Sequence, residues 1–386
     1  MNLAKPAYDE AWFALRAQPG VRGLRAYDPG HDLVSLRRNC AAREHAAQLL
    51  ELGSNENPYG PSPDARAAIQ NQLHALHRYP DPLGADLKRV LALQHRVDSA
   101  QILLGNGSHE LLMQLAQVFA GVGDDVVFSR YGFAVFALAA QAAGAAVRVA
   151  QALPREAAMP LGHDLDAVAA AVTPATRLVY LANPNNPTGT WFGRKAFAAF
   201  MTRVRSDVIV VLDEAYAEMA DAAGADVATG LALLDAHRNL VITRTFSKAY
   251  GLASLRMGYL LAAPGLVAVM ERVRESFNGN GLALAACEAA LGDEAHLAWV
   301  CERNAEQRGA LTAALRARGL VVLPSQTNFV LVEFGPQTPR IEAALLARDV
   351  VLRPMAGYGL PGFLRVTIGT REENRGLLAA LDAVLT

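Results

Sequence analysis

From about residue 60 onward, short runs rich in β-branched residues alternate with stretches of helical periodicity. The helix-like stretches are residues 64–77, 84–95, 108–120, 130–143 and 164–172. The strand-like runs are residues 125–128, 145–150, 177–182, 207–213, 239–246 and 257–262. Strands separated by helices form βαβ crossovers, which give parallel sheets with helices on both faces. The pattern therefore predicts an α/β domain built on a mostly parallel sheet.

Beyond about residue 275 the pattern changes to an α+β order. A long helical region at 282–318 is followed by strand-like runs and helices at 328–334, 339–348, 350–354, 363–369 and from Arg371 onward. Such an order is typical of a separate, smaller layer. We therefore expect three parts: an N-terminal arm at residues 1–50 with a short helix at 8–17, a large domain at 51–275 and a small C-terminal domain at 276–386.

Charge and cysteine content argue against several classes of function. The 36 Lys and Arg residues against 37 Asp and Glu leave a formal net charge of -1, which offers no basic surface for nucleic acid or an anionic membrane. Cys40, Cys287 and Cys301 lie far apart and form neither a disulfide framework nor a metal-binding CxxC pair. Apolar runs are too short to span a membrane, and the N-terminus lacks the apolar core of a signal peptide. We expect a soluble, cytoplasmic enzyme without a metal.

Polar residues follow several predicted strands, at the edge where open α/β sheets bind their ligands. Asp213 ends the run 207–213. Burying a carboxylate at that position is costly unless a cation lies beside it. A role as the N-cap of a helix is the alternative explanation for Asp213. Tyr216 lies three residues further on. In NPNNPTG (183–189), prolines make a rigid turn that would aim the amide of Asn186 into the cleft, with a plain turn as the alternative.

Lys248 follows the run 239–246 and opens a turn rich in Ser and Gly. In a dry cleft the pKa of this lysine would be lowered, which makes the amine a competent nucleophile. Thr245 and Ser247 lie beside it, and Arg256 comes eight residues later, where it could fold back to bind an anion. A solvated surface lysine is the ordinary alternative, but the position between a β-run and this turn favours the cleft.

The segment GNGSHELL (105–112) would begin a helix with free backbone N–H groups, which suits a phosphate but is a weak signal alone. Gly105 and Gly107 allow close backbone approach, and Ser108 starts the helix. The combination is more specific than any part. Together these groups indicate pyridoxal 5′-phosphate. They are an amine nucleophile, an acid that could bind a ring nitrogen, an amide and a phenol that could bind a phenolic oxygen, and a phosphate-binding helix start with an arginine.

With these motifs in place, the chain resembles the fold-type-I pyridoxal-phosphate-dependent aminotransferases and, among them, the histidinol-phosphate aminotransferases along nearly its whole length. The stretches that carry the resemblance are VRGLRAYDPG (21–30), LGSNENPYG (52–60), YPDP (79–82), GNGSHELL (105–112), NPNNPTGTWF (183–192), LDEAY (212–216), TRTFSKAYGLASLRMGY (243–259), FNGN (277–280) and RPMAGYGLPGFLRVTIG (353–369). The resemblance implies a seven-stranded cofactor-binding domain and an N-terminal arm that joins the small domain at the substrate entrance.

The resemblance also implies roles for single residues at the cofactor. Lys248 would bind the cofactor's aldehyde covalently and later move a proton, while Asp213 would keep the pyridine nitrogen protonated. Asn186 and Tyr216 would bind the ring's 3′-oxygen, and Phe133 would cover the ring. The phosphate would be held by Gly107, Ser108, His109, Thr245, Ser247, Arg256 and Tyr79. In the family this last tyrosine comes from the neighbouring subunit, which implies a homodimer with shared active sites.

On the substrate side, the resemblance implies that Arg365 clamps the anionic end of the substrate, since a guanidinium binds a carboxylate or a phosphate bidentately. Arg353 would lie close by, Tyr27 would reach the substrate's phosphate, and Asn57 would line the entrance. The implied reaction converts histidinol phosphate and 2-oxoglutarate into imidazole-acetol phosphate and glutamate, which runs in the opposite direction in histidine biosynthesis.

One stretch departs from the family's usual pattern. The family commonly reads PFNVNS where this chain reads SFNGNG (276–281), and His109 stands where Asp or Asn is frequent. We expect Ser276, Gly279 and Gly281 to loosen the wall of the substrate pocket. Two alternatives therefore stay open: an aminotransferase acting on an aromatic or other amino acid, or a decarboxylase of a phosphorylated amino acid.

Overall fold

The computed structural model describes residues 9–27, 30–41, 49–221 and 224–385. Its helices are α1 Glu10–Ala14, α2 Leu33–Ala41, α3 Pro63–Gln72, α4 Ala85–His95, α5 Ser108–Phe119, α6 Ala134–Ala142, α7 Leu165–Ala170, α8 Arg194–Arg203, α9 Ala217–Asp221, α10 Pro264–Met270, α11 Gly281–Gly292, α12 Glu294–Ala317, α13 Thr338–Leu346 and α14 Arg371–Leu385. Its strands are β1 Leu50–Glu51, β2 Ile102–Gly105, β3 Asp125–Ser129, β4 Ala146–Ala150, β5 Thr176–Ala182, β6 Ile209–Asp213, β7 Leu240–Thr245, β8 Gly258–Leu261, β9 Val321–Val322, β10 Phe329–Glu333, β11 Val350–Val351, β12 Arg353–Pro354 and β13 Phe363–Thr367.

A seven-stranded sheet in the order β2-β8-β7-β6-β5-β3-β4 confirms the predicted α/β class. Neighbouring strands from β7 through β4 pair in parallel, whereas β8 is antiparallel to both β2 and β7. The short strand β2 has no counterpart among the predicted strands. Its four buried residues lie between two helical stretches, where a short apolar run does not distinguish a strand from a buried helix end.

Helices cover both faces of this sheet, as the βαβ pattern predicts. Residues of α4, α8 and α11 pack into one apolar cluster on one face, and residues of α5 and α6 pack into a second cluster on the other. The central strands β6 and β7 are almost fully buried; β6 is apolar up to Asp213, whereas β7 is apolar through Ile242 and ends in Thr243, Arg244 and Thr245. The carboxyl ends of β5, β6 and β7 therefore come together at one edge.

A four-stranded antiparallel sheet, β12-β13-β10-β9, forms the second layer together with α12, α13 and α14. The chain enters this layer early, because β1 pairs in parallel with β11 through Leu50 with Val350 and Glu51 with Val351. Leu52 packs into the same apolar cluster. These pairings fall at the boundary predicted at residue 51, and the three-part division itself stays a prediction.

Two predicted helices differ in extent from those in the structure. The region 282–318 is divided at Asp293, whose side chain accepts a hydrogen bond from the backbone N–H of His296 and so caps α12. The helix predicted at 8–17 is shorter, since α1 is capped by Asp9, and residue 8 lies outside the described residues. In the described part of the chain, no helix is both long and apolar enough to cross a membrane.

Candidate active site

A cavity of about 170 Å³ opens where the ends of β5, β6 and β7 face the start of α5. Most of the residues singled out from the sequence line it: Tyr27, Ser108, His109, Phe133, Asn186, Asp213, Tyr216, Thr245, Ser247, Lys248, Arg256 and Arg365. The parallel strands bring these residues together, because each strand delivers its C-terminal polar residues to the same edge of the sheet.

Asp213 ends β6 as a carboxyl group that is only 5% exposed. The hydroxyl of Thr243 on β7 donates a hydrogen bond to its Oδ1 at 3.0 Å. Burial raises the pKa of Asp213 to about 7, because the hydrogen bond offsets only part of the cost of removing the charge from water. A carboxyl group in this state can hold or share a proton with a ligand's nitrogen atom.

Lys248 lies just beyond β7 and is partly buried in the same cavity. Desolvation and the neighbouring positive charge of Arg365 lower the pKa of its amine to about 8. Its Nζ donates a hydrogen bond to the backbone carbonyl of Asn55 at 3.1 Å. An amine with this pKa carries a sizeable neutral, nucleophilic fraction near neutral pH, as the sequence predicts.

The start of α5 and the turn after β7 form a cradle of hydrogen-bond donors. Gly107 has φ +85°, and a Cβ there would lie 2.4 Å from Nη2 of Arg256, so the close approach requires glycine. Arg256 donates from Nη1 to the Oγ of Ser247 at 3.2 Å. With Ser108 at the N-terminus of α5 and Thr245 beside Ser247, the cradle offers a guanidinium, three hydroxyls and free backbone N–H groups, which suits a phosphate dianion.

His109 lines the cavity beside this cradle and is partly buried. Burial and the charge of Arg256 lower the pKa of its imidazole, so the neutral form is favoured. Its ring packs edge-to-face against Tyr27, with ring centroids 5.9 Å apart. The N-terminal arm is thereby held at the mouth of the cavity.

The segment after β5 places Asn186 at the floor of the cavity. The side-chain amide of Asn185 donates to the backbone carbonyl of Tyr131 at 2.8 Å and to Thr188 at 2.8 Å, which fixes the turn. The Oδ1 of Asn186 accepts a hydrogen bond from Nη1 of Arg365 at 2.7 Å. This amide therefore contacts the guanidinium directly and has its nitrogen available to a ligand.

Arg365 comes from β13 of the smaller sheet and is buried. Its Nη2 donates to the backbone carbonyl of Gly53 at 2.7 Å, while its buried Nε has no hydrogen-bond partner in the described part of the chain. Burial lowers the pKa of this guanidinium, although it remains charged at neutral pH. A buried arginine with an unsatisfied N–H suits an anionic ligand.

Four residues singled out from the sequence do not line the cavity. The amide of Asn57 donates to the backbone carbonyl of Ala249 at 2.9 Å, so it holds a loop. Arg353 lines an adjoining cavity of about 540 Å³, and Tyr27 lines both cavities. Gly107 contacts the cradle only through its close approach to Arg256. Tyr79 is 82% exposed and stacks on Phe277 with centroids 4.5 Å apart. Their ligand-binding roles stay predictions.

Residues 276–281 do not line this cavity of the single chain, and their predicted place beside the substrate pocket stays a prediction. A Cβ on Gly279 would contact Met257 and Leu284 at 3.2 and 3.4 Å, and one on Gly281 would contact Pro80 at 3.8 Å. These positions border the segment that follows Tyr79.

Sequence reasoning missed Asn55, which is 2% exposed and lines the cavity together with Ser54. Its side-chain amide donates to the hydroxyl of Tyr216 at 3.0 Å. The residue has φ +55°, a left-handed conformation that asparagine tolerates better than most residues. The SNENPYG stretch contains two asparagines, and sequence reasoning predicted a site role for Asn57 instead of Asn55.

Comparison with known proteins gives a consistent family. The model of the family described as aminotransferase class I and II matches residues 47–381. Histidinol-phosphate aminotransferase 2 of Pseudomonas aeruginosa is 46% identical over 373 residues, covering 97% of this chain and 98% of the relative. The crystal structure of histidinol-phosphate aminotransferase from Sinorhizobium meliloti, in complex with pyridoxal-5′-phosphate, superposes with a TM-score of 0.82 at 30% identity over 96% of this chain and 97% of that one.

A further solved structure shares the fold alone. L-threonine-O-3-phosphate decarboxylase from Porphyromonas gingivalis superposes with a TM-score of 0.74 at 23% identity, covering 87% of this chain and 99% of that one. In the described part of this chain, no group of three or more His, Cys, Asp or Glu residues is arranged to hold a metal ion.

Proposed function

The chain belongs to the aminotransferase class I and II family, and we propose that it transfers an amino group between histidinol phosphate and 2-oxoglutarate. It is a pyridoxal-phosphate-dependent aminotransferase. The products are imidazole-acetol phosphate and glutamate, and histidine biosynthesis uses the reverse direction. The observation that carries the substrate assignment is sequence identity of 40–47% over nearly the full length to relatives named for this substrate.

The donor set of the cavity fits the cofactor. A side chain at Gly107 would collide with Arg256 in the phosphate cradle, and the carboxyl of Asp213 lines the same cavity as the cradle. Pyridoxal 5′-phosphate, when bound, supplies an electron sink that stabilises negative charge at the substrate's Cα. Gly107, Ser108, His109, Thr245, Ser247 and Arg256 hold its phosphate, and Phe133 covers its ring.

Lys248 provides the amine that attaches the cofactor. Because its pKa is about 8, a substantial fraction is neutral at cytoplasmic pH and can attack an aldehyde. With a donor bound, Lys248 would accept a proton at the substrate's Cα and deliver one at C4′ of the cofactor. A single basic amine at this position serves both directions of the reaction.

Asp213 and Tyr216 set the electronic state of the ring. Asp213 would hold a proton on the cofactor's pyridine nitrogen, which would give this buried carboxylate a cationic partner. Tyr216 and Asn186 donate hydrogen bonds to the 3′-oxygen. Burial raises the pKa of Tyr216, so its hydroxyl keeps the proton that it donates.

Arg365 binds the anionic end of the substrate next to Asn186. Tyr27 and Arg353 bind the distal phosphate, since both face the adjoining cavity that continues from the active site. Asn57 acts from the entrance, through the loop that it holds. Histidinol phosphate carries one anionic group, its phosphate, so Arg365, Arg353 and Tyr27 would bind that group together, whereas glutamate would offer them a carboxylate at each end.

The protein acts as a homodimer in the cytoplasm, with Tyr79 completing the phosphate site of the partner. The exposed stack of Tyr79 on Phe277 supports this assignment. Leu76 and Leu83 beside it are 65% and 56% exposed, which makes an apolar surface suited to a second copy. Analytical ultracentrifugation should give a dimer, and Tyr79→Ala should weaken cofactor retention.

The substrate assignment is tested by a half-reaction screen of the pyridoxal-phosphate form. Histidinol phosphate, phenylalanine, tyrosine, arginine and glutamate are added singly, and the loss of the cofactor's yellow absorbance is followed. Fast bleaching by histidinol phosphate and glutamate alone is the expected result. A preference for an unphosphorylated aromatic donor would contradict the proposal, and release of carbon dioxide from a phosphorylated amino acid would make the protein a decarboxylase.

A further inference from the structure

The short segment Gly53–Asn55 contacts both the clamp and the reactive lysine. The backbone carbonyl of Gly53 accepts a hydrogen bond from Nη2 of Arg365 at 2.7 Å. Two residues later, the backbone carbonyl of Asn55 accepts one from Nζ of Lys248 at 3.1 Å. A displacement of this segment would therefore change the spacing between the group that holds the substrate and the group that moves the proton.

The side chain of Asn55 has a defined orientation. The backbone N–H of Asn55 donates to Oγ1 of Thr367 at 2.9 Å, so the Thr367 hydroxyl has its own proton left to donate. That proton goes to Oδ1 of Asn55 at 3.3 Å. With its oxygen committed to Thr367, the amide presents Nδ2 to the hydroxyl of Tyr216 at 3.0 Å.

This orientation decides where the proton of Tyr216 points. The Tyr216 oxygen accepts from Asn55, so its own O–H is left to donate elsewhere, and the residue lines the cavity. The reversed amide would offer an acceptor and would draw the proton away from the cavity. Thr367 thus acts on Tyr216 through Asn55 without lining the cavity itself.

The carbonyl of Asn55 is fixed from the other side as well. The side-chain amide of Asn328, 1% exposed, donates to the same oxygen at 3.0 Å. Thr367 and Arg365 are two residues apart on β13, on the same face of that strand. The smaller sheet therefore holds Asn55 through Thr367 and Gly53 through Arg365, and the adjoining Asn328 holds the carbonyl of Asn55.

We infer that Asn55 is a positioning residue for the transamination proposed above: its amide directs the Tyr216 proton into the cavity, and its carbonyl holds the Lys248 amine at a fixed distance from Arg365. The left-handed backbone at this position, φ +55°, aims both groups at once. A β-branched residue could not adopt it without strain. Asparagine and aspartate tolerate it, which provides a test variant of the same shape.

The first test measures the Lys248 amine in the apoenzyme, where neither cofactor nor donor takes part. The chain has only four lysines, Lys5, Lys88, Lys195 and Lys248, so trace acetylation followed by peptide mass spectrometry reports each amine separately. Asn55→Val, which strains the left-handed backbone and so displaces the carbonyl that accepts from the charged amine, should lower the pKa of Lys248 and speed its acetylation at pH 7.5 at least threefold, with Lys88 and Lys195 unchanged. Asn55→Asp keeps this backbone and, through its added charge alone, should slow the acetylation. Unchanged Lys248 acetylation would overturn the inference.

The second test separates positioning from folding by turnover per bound cofactor. Thr367→Val keeps the side chain's shape but removes the hydroxyl, so kcat should fall about 3- to 10-fold with KM for the amino donor within twofold, because one hydrogen bond contributes about 1 kcal/mol. Thr367→Ser retains the hydroxyl and should restore kcat. Equal losses in both variants would overturn the inference.

These measurements stay informative whichever donor the enzyme uses. The acetylation experiment needs no donor, and kcat and KM are taken with the donor that the half-reaction screen selects. If histidinol phosphate fails in that screen, the substrate assignment falls while the role of Asn55 is still decided by Lys248 and Thr367.

Discussion

At the end of β6 two consecutive carboxylates, Asp213 and Glu214, are both buried but have different partners. Glu214 is 1% exposed and accepts hydrogen bonds from Nε and Nη2 of Arg244 at 2.9 and 2.7 Å and from the backbone of Gly230 at 2.6 Å. Asp213 is almost as buried, yet Thr243 is its side-chain partner. One carboxylate is neutralised within the protein, and the other is left for a ligand.

The alternation of side chains along neighbouring strands produces this difference. Asp213 on β6 and Thr243 on β7 are register partners. The residues that follow them, Glu214 and Arg244, form the ion pair. Because successive side chains point to opposite faces, the first pair faces the cavity and the second faces the core. A carboxylate that lines the cavity and a carboxylate in an internal ion pair thus lie one residue apart, so burial alone does not distinguish a candidate catalytic carboxylate from a structural one.

The largest effect should come from Lys248 on the cavity side. Lys248→Ala should lower kcat by about 10³-fold or more, since it removes both the nucleophile and the proton carrier, while pyridoxal phosphate still binds through the phosphate cradle. Stopped-flow turnover and the absorbance of bound cofactor measure the two effects. Lys195→Ala on the exposed face of α8 serves as the control. Ordinary turnover in Lys248→Ala would refute the mechanism.

On the core side, Arg244→Met should destabilise the fold by about 3–5 kcal/mol, because it leaves the charge of Glu214 buried without a cation. Urea unfolding of the apoenzyme measures the free energy of unfolding. Adding Glu214→Gln removes the stranded charge and keeps an oxygen for Gly230, so part of the stability should return. A loss below about 1 kcal/mol in the single variant would mean that the pair is weakly coupled.

A smaller effect is expected for the substrate clamp. Arg365→Ala should raise KM for the anionic donor about 10- to 100-fold, since hydrogen bonds to a charged group contribute about 1.5–3 kcal/mol, and should leave the cofactor's absorbance spectrum unchanged. Arg365→Lys keeps the charge without the bidentate geometry and should fall between. Steady-state kinetics decides; an altered spectrum with unchanged KM would place Arg365 at the cofactor instead.

The smallest effect concerns the unneutralised charge of Asp213 in the apoenzyme. Its folded pKa, about 7, lies above its ordinary value of 3.8, so the protonated folded state is favoured at low pH and this stability is lost as pH rises from about 4 to 7. Asp213→Asn should therefore make the apoenzyme more stable by about 1–2 kcal/mol at pH 8 and by less at pH 5. Thermal unfolding at the two pH values tests the sign, and equal shifts would contradict it.

The sequence predicted the sheet and its functional edge because the central strands are buried on both faces and their apolar runs end in Asp213 or just before Lys248. It could not predict the contacts of Asn55 with Thr367, which join residues distant in the chain through one left-handed backbone position. The antiparallel direction of β8 was equally hidden, because a run of apolar residues has no polarity. Tyr79 shows a further limit, since its predicted partner belongs to a second chain.

The pairing of β1 with β11 also bears on the order of events during synthesis. Leu50 and Glu51 leave the ribosome early, but Val350 and Val351 are made late, about 15–60 s afterwards at typical elongation rates. Until β11 has been made, the backbone edge of β1 is unpaired and the apolar side chain of Leu52 is unpacked in the nascent chain. Exposed strand edges and apolar side chains of this kind are what chaperones bind. Arg365 is made later still, so a nascent chain can display Asp213 and Lys248 on a folded sheet and yet have no clamp for a substrate.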